Sequence, residues 1–437
     1  MFFKLIMDAF KVKEIRNRIL FTVFILFVFR LGAHITVPGV NVQNLNALGD
    51  LPFLNMLNLV SGNAMQNYSL FAMGVSPYIT ASIIVQLLQM DILPKFVEWS
   101  KQGEIGRRKL NQSTRYITLV LALAQSIGIT AGFQAMSAQH IVNNPTWQTY
   151  LMIGAILTTG SMVVTWMGEQ INEKGFGSGV SVIIFAGIVS SIPSAIHSVY
   201  TEKFENVRPD QIPMSWVFVA VLILACIVII YITTFVQQAE RKVPIQYTKL
   251  VQGAPTSSYL PLRVNPAGVI PVIFAGSITT APATILQFLQ RSQGGNAASW
   301  LTSLQQALAY TSWTGMLLYA LLIIIFTFFY SFVQVNPEKM AENLQKQGAY
   351  IPGVRPGKGT EKYVSSLLIR LSTVGSVFLG FIAIIPIAAQ NIWGLPKVVA
   401  LGGTSLIILI QVAIQAAKQL EGYLLKRQYK GFMDTTE

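Results

Sequence analysis

The feature that most limits what this chain can become is a series of apolar blocks, each close to 20 residues long and nearly free of charge. An α-helix of that length spans the roughly 30 Å hydrocarbon core of a bilayer. Inside lipid a helix also satisfies its own backbone polar groups, which an irregular segment cannot do. Ten such blocks lie at about 19–36, 70–90, 115–137, 149–168, 179–199, 215–236, 267–289, 313–334, 367–388 and 398–417. The chain is 52% hydrophobic and only 11% charged, against about 25% charged in a soluble domain. The expected fold is therefore an all-α membrane protein of ten transmembrane helices. The single cysteine, Cys226, lies inside one block, which leaves no disulfide framework and no cysteine-based metal cluster.

The net charge of +13 is confined to loops, so it reports orientation before it reports partners. An even number of spans puts both termini on one side. Of the 31 lysines and arginines, 26 fall in the N-terminus, the 91–115, 169–178, 237–266 and 336–370 loops and the tail. The opposite loops hold only Lys203, Arg208, Arg291 and Lys397, and Arg30 sits within the first helix. The positive-inside rule makes the first group cytoplasmic. Residues 1–18 form a basic amphipathic stretch, and no small-residue cleavage site follows the first apolar block, so that block is expected to be a retained helix. The chain then divides into an N-terminal half at 19–200, an external linker at 201–214, a C-terminal half at 215–417 and a cytoplasmic tail at 418–437. Residues 53–67 are apolar at helical spacing but too short to cross. An interfacial helix and a short helix folded back into the membrane both fit them.

An internal repeat joins these halves. Gly74-Val75-Ser76-Pro77-Tyr78-Ile79-Thr80-Ala81 matches Gly268-Val269-Ile270-Pro271-Val272-Ile273-Phe274-Ala275 at Gly, Val, Pro, Ile and Ala. Gly179-Val180-Ser181-Val182-Ile183-Ile184 resembles Gly403-Thr404-Ser405-Leu406-Ile407-Ile408 in the same way. These are the second and fifth helices of two halves of five. Five is odd, so the second half enters from the opposite side, giving an inverted repeat whose site tends to lie between the halves. The repeat pairs Ile79 with Ile273 and Ile184 with Ile408. Val75 shares a face with Ile79, and Ile188 with Ile184. If those faces converge they make an aliphatic ring, which resists wetting and blocks ions yet parts around a larger object. Isoleucine is also ordinary in membrane helices, so no single residue decides this.

Ion-coupled carriers and pumps place Asp, Glu, His or Lys at mid-membrane depth. Here Asp91 and Glu169 sit at cytoplasmic span ends, and His34, His140 and His197 at or near external ones. No zinc-spaced His-Glu pair and no Walker loop occurs, so neither a metal nor a cofactor is expected. Gly175-Phe176-Gly177-Ser178-Gly179 resembles a nucleotide loop but reads better as a flexible entry to the next helix. Gln86 and Gln125 are amides within spans, which in hydrocarbon seek a partner across a helix interface. A small-solute carrier on an inverted repeat is the rival reading, and it would need a polar midplane site.

The loop 237–266 alternates at Val243, Ile245 and Tyr247, and a second extended run from Tyr259 to Val264 suggests a protruding hairpin. The loop 336–366 holds Tyr350-Ile351-Pro352-Gly353-Val354-Arg355-Pro356-Gly357, whose prolines and glycines fix an exposed turn bearing an arginine. Ordered basic loops suit an RNA-rich surface, an acidic protein or, for scattered lysines, membrane lipids.

Several of these motifs together closely resemble bacterial members of the SecY/Sec61-alpha family, the central subunits of the Sec protein-conducting channel. They are Gly74–Ile84, Gly106-Arg107-Arg108-Lys109 with Thr114-Arg115-Tyr116, Gly177–Ser181, Asn265–Pro271, Ile351–Gly357 and Gly402–Leu406. The resemblance runs from about residue 10 to 430. It implies two inverted halves around an hourglass pore in the bacterial plasma membrane, with no enzymatic activity. Val75, Ile79, Ile184, Ile188, Ile273 and Ile408 would form the pore ring. Met56, Leu57, Asn58, Leu59, Val60, Ser61 and Gly62 would belong to a plug within 53–67. Gln86 and Gln125 would lie near a lateral gate. Arg241, Lys242, Lys249, Arg355 and Lys358 would engage the ribosome or the SecA ATPase, although Glu240 beside Arg241 leaves this loop less basic than the family pattern. Implied partners are the SecE and SecG subunits, SecA, the ribosome, signal peptides and translocating polypeptides.

Overall fold

A computed structural model describes residues 10–42, 61–62, 64–90, 93–136, 141–143, 145–205, 212–247, 257–276, 278–279, 312–393 and 397–433. Among these, six helices are long and apolar enough to cross a membrane, and Ser76–Leu88 is a shorter apolar helix. Much of the expected 267–289 block lies outside the described residues. The chain forms two units: Met1–Ser198 with Thr284–Ser303 and Val412–Glu437, and Val199–Ala283 with Leu304–Gln411.

The first unit contains α1 (Lys13–Gly32), α2 (Ser76–Leu88), α3 (Pro94–Lys101), α4 (Gly103–Met136), α5 (Trp147–Lys174) and α6 (Gly179–Tyr200). Lipid tails are as apolar as the side chains, so such helices associate through close approach and hydrogen bonds. Glycines supply the approach. A Cβ at Gly160 would strike the Leu70 carbonyl, one at Gly179 the Gly168 carbonyl, and one at Gly32 the Phe71 ring. Hydroxyls supply the bonds. Ser126 Oγ donates to the Gly154 carbonyl across α4 and α5 at 3.2 Å, and Ser161 Oγ to the Gly74 carbonyl at 3.0 Å. Tyr68 is almost fully buried and its hydroxyl lies 2.6 Å from that of Thr130. It joins Met65, Met73, Phe133, Ile153 and Leu157 in one apolar cluster.

At the basic end of this unit the expected loop 91–115 is mostly helix, being α3 and the first turns of α4. Arg115 forks onto Glu169 with Nε–Oε1 2.8 Å and Nη2–Oε2 2.6 Å, tying α4 to α5. The 175–178 turn, expected to be flexible, is tied down on three sides. Thr22 Oγ1 accepts from the Phe176 amide at 2.8 Å, Gln419 Oε1 from Gly177 at 2.9 Å and Asn172 Oδ1 from Gly179 at 2.7 Å. Those amides are already bonded within the protein, so the turn offers no phosphate cradle. Phe176 also packs with Ile15 and Leu420, and Arg18 sits 5.4 Å over the Tyr423 ring.

The second unit contains α7 (Ile212–Gln238), β1 (Glu240–Tyr247), β2 (Ser257–Arg263), α8 (Trp313–Val335), α9 (Pro337–Lys346), β3 (Ala349–Tyr350) and α10 (Lys358–Trp393). The helix α11 (Lys397–Met433) runs from this unit into the first. Most of α7 is apolar and exposed, as at Val221, Leu224, Ile227, Tyr231 and Phe235. A helix apolar all round suits lipid. The expected hairpin forms: β1 and β2 pair antiparallel with Val243 opposite Leu260 and Ile245 opposite Ser258.

Tyr68→Phe should lower thermal stability in detergent by about 1 kcal/mol, one buried hydrogen bond. Gln419→Ala should speed hydrogen exchange at the Gly177 amide and leave amides within α5 unchanged.

Candidate functional site

The segment opening α2 is set by backbone conformation. Gly74 has φ +52° and Gly268 has φ +66°, a left-handed region open to glycine with little strain. Each is followed by a buried valine, Val75 or Val269. Each valine carbonyl then accepts from the isoleucine four residues on, Ile79 at 3.0 Å and Ile273 at 3.4 Å. The two copies of the sequence repeat thus share an unusual dihedral as well as residues. Pro77 at the start of α2 falls where the missing amide hydrogen is harmless.

Within the first unit a third segment touches both stretches of chain that carry expected ring residues. Val75, Ile184 and Ile188 are buried and Ile79 is half-buried. Ser61 is buried, and its Cα is 3.5 Å from where a Cβ on Gly74 would stand. Gly62, at φ +67°, has no room for a side chain: a Cβ there would lie 2.8 Å from the Gly187 Cα and 3.1 Å from Ser190 Oγ. Its carbonyl accepts from Arg30 Nη1 at 2.6 Å. Ser61–Gly62 therefore bridges the start of α2 to the turn of α6 that separates Ile184 from Ile188. Met56, Leu57, Asn58, Leu59 and Val60 lie outside the described residues. In the second unit a Cβ on Gly268 would stand 3.0 Å from Gln411 Nε2. That brings the segment of half-buried Ile273 beside the stretch of α11 that carries buried Ile408.

The two amides sit within helices α2 and α4. Gln86 Nε2 donates to Ser82 Oγ at 3.3 Å, one turn back on its own helix, while its buried Oε1 has no partner among the described residues. Gln125 is half-buried on α4.

The two basic loops form one folded body. β3 pairs with β1, Gln246 opposite Tyr350, completing a sheet of order β2-β1-β3. Val243, Ile245, Leu262, Leu344, Ala349, Ile351 and Val364 form its core. Asn336 caps α9 by accepting from the Lys339 amide at 3.1 Å, ahead of Pro337. That Asn-Pro start was legible in sequence as a helix signal, but strand β3 has only two residues and no pattern of its own. Arg241, Lys242, Arg355 and Lys358 are exposed on this body, with Lys242 Nζ 4.8 Å over the Tyr259 ring. Lys249 lies outside the described residues.

Apolar membrane-length helices joined to an ordered basic extramembrane body define a multi-pass membrane protein. Its fold matches a solved structure described as a protein conducting channel, with TM-score 0.63 at 16% identity over 93% of this chain and 91% of that one. A structure on the plug domain of SecY stabilising the closed state matches with TM-score 0.62 at 17% identity over the same shares. Sec61 in a canine ribosome-channel complex matches with TM-score 0.58 at 15%, again over 93% and 91%. The SecY family model matches residues 69–417. By sequence the chain is 85% identical over 434 residues, 99% of each chain, to Protein translocase subunit SecY of Lactococcus lactis subsp. lactis. It is 68% identical over 436 residues, 100% of each, to that of Streptococcus gordonii. The chain belongs to the SecY family.

Val243→Asp should bury an unpaired carboxylate at a cost of several kcal/mol. Limited trypsin digestion would then cut at Arg241, Lys242 and Arg263 far faster than in the parent, with membrane integration retained.

Proposed function

We propose that this chain is the central subunit of a protein translocase, a passive channel rather than an enzyme. It passes unfolded secretory polypeptides across the bacterial plasma membrane and releases hydrophobic segments sideways into lipid. The observation that carries this reading is the packing of Ser61–Gly62 onto the helices of Val75, Ile79, Ile184 and Ile188. A chain segment seated against the elements that carry these aliphatic residues suits a resting seal, and membership of the SecY family supports the same role.

In this reading ten spans form five plus five inverted helices around an hourglass pore, with both termini cytoplasmic. Ile273 and Ile408 complete the ring, residues 56–62 lie in the plug, and Gln86 and Gln125 flank the lateral exit. An aliphatic constriction excludes ions by dewetting, while soft side chains yield to an extended polypeptide. A segment of about 20 apolar residues moves into lipid downhill, so the wall need only open. Driving force comes from outside the chain, from the SecA ATPase or the ribosome. The matched canine Sec61 channel is in complex with a ribosome, which favours the basic loop body as the landing surface through Arg241, Lys242, Lys249, Arg355 and Lys358. SecE and SecG are the proposed partner subunits, and signal peptides the openers.

Changing Ile79, Ile184, Ile273 and Ile408 together to Gly or Asn should raise resting ion conductance and relax signal-sequence stringency; unchanged values for both would sink the ring. A photocrosslinker at position 79 or 273 should capture an arrested secretory polypeptide and no cytosolic one.

A further inference from the structure

A charged side chain inside an apolar helix calls for a reason, and α1 has one at Arg30. The C-terminal turn of a helix favours a cation through its dipole, which would satisfy an arginine pointing along its own helix. Arg30 does something more specific. Its Nη1 reaches 32 positions along the chain to the Gly62 carbonyl at 2.6 Å, and its own carbonyl is engaged by His34 Nδ1 at 2.9 Å. The target is a backbone oxygen on the residue whose missing side chain lets it press against Gly187 of α6. One face of Gly62 is thus set by sterics and the other by a charge-assisted hydrogen bond, among the stronger polar contacts available. The neighbouring Ser61 is only 2% exposed, so this grip holds it against Gly74 at the start of α2.

We propose that Arg30 is a positioning residue that fastens Ser61–Gly62 against α2 and α6, the two helices of the first unit that carry proposed ring residues. The inference deepens the channel reading and rests on it for its consequence, since losing the grip loosens the resting seal. Because the bond is made to backbone, it depends on the place of the segment and on glycine at 62 rather than on the side chains before it. Lysine at 30 keeps the charge but not the planar fork of donors, so it recovers part of the hold.

The test uses the complete translocase, purified in detergent, with Cys226→Ala to remove the native thiol and Ser61→Cys as a probe. Arg30→Ala should raise the rate of maleimide modification at position 61 by roughly tenfold or more, as expected for losing one charge-assisted hydrogen bond. Arg30→Lys should fall between parent and Arg30→Ala. Gly62→Ala, which removes the steric seat and leaves Arg30 intact, should expose the same thiol. A second probe, Ser126→Cys in the buried face of α4, should stay protected throughout. Unchanged protection at position 61 in Arg30→Ala overturns the proposal, and so does equal exposure at positions 61 and 126, which would mean general loosening. Ion conductance of the ring variant separates the two ideas. A leaky ring with the probe at position 61 still protected in Arg30→Ala removes the Arg30 role and leaves the channel. A tight ring with that probe exposed does the reverse.

Discussion

Backbone-to-backbone approach at glycine is the constraint on which the first unit depends. Membrane helices gain nothing from expelling water between them, so contact must come from fit and from hydrogen bonds. Gly160 beneath the Leu70 carbonyl, Gly179 against the Gly168 carbonyl, and Gly62 against Gly187 are positions where a methyl group has no space. At those distances hydroxyls such as Ser161 reach a carbonyl on a neighbouring segment. The turn before α6 follows from this closeness, because Thr22 and Gln419 are then near enough to bond its amides.

The basic loop body is held by the opposite physics. Its core of Val243, Ile245, Leu262, Ile351 and Val364 is that of a small water-soluble domain, driven by burial of apolar area. The two kinds of cohesion let one chain carry a membrane part held by close fit and an extramembrane part with an ordered charged face. Arg355 and Lys242 are held on that face by turns and strands, so their spacing does not depend on loop motion.

Much of the candidate site was readable from residues alone because it repeats. The match of Gly74–Ala81 to Gly268–Ala275 singled out Ile79 and Ile273, and the shared positive φ of the two glycines gives that match a physical basis. A pairing within one helix, such as that of the Gln86 amide nitrogen with Ser82 one turn away, is not distinguished in the sequence from a pairing across an interface. The Gly175–Gly179 stretch looked flexible because glycine-rich turns usually are. Its restraint comes from α1 and α11, more than 150 and 240 residues distant in the two hydrogen bonds, and no local pattern records that.

Sequence by itself determined that the chain lives in a membrane, since apolar blocks near 20 residues long leave no other way to shelter a backbone. It also determined the repeated Gly-Val…Pro…Ile motif, the hairpin and the uneven distribution of basic residues. Tertiary structure decided what touches what: that β3 joins two distant loops into one sheet, and that the carbonyl of Gly62 is the partner of Arg30. Such contacts turn on distances between residues far apart in the chain, and a periodic pattern carries information only about neighbours a few positions away.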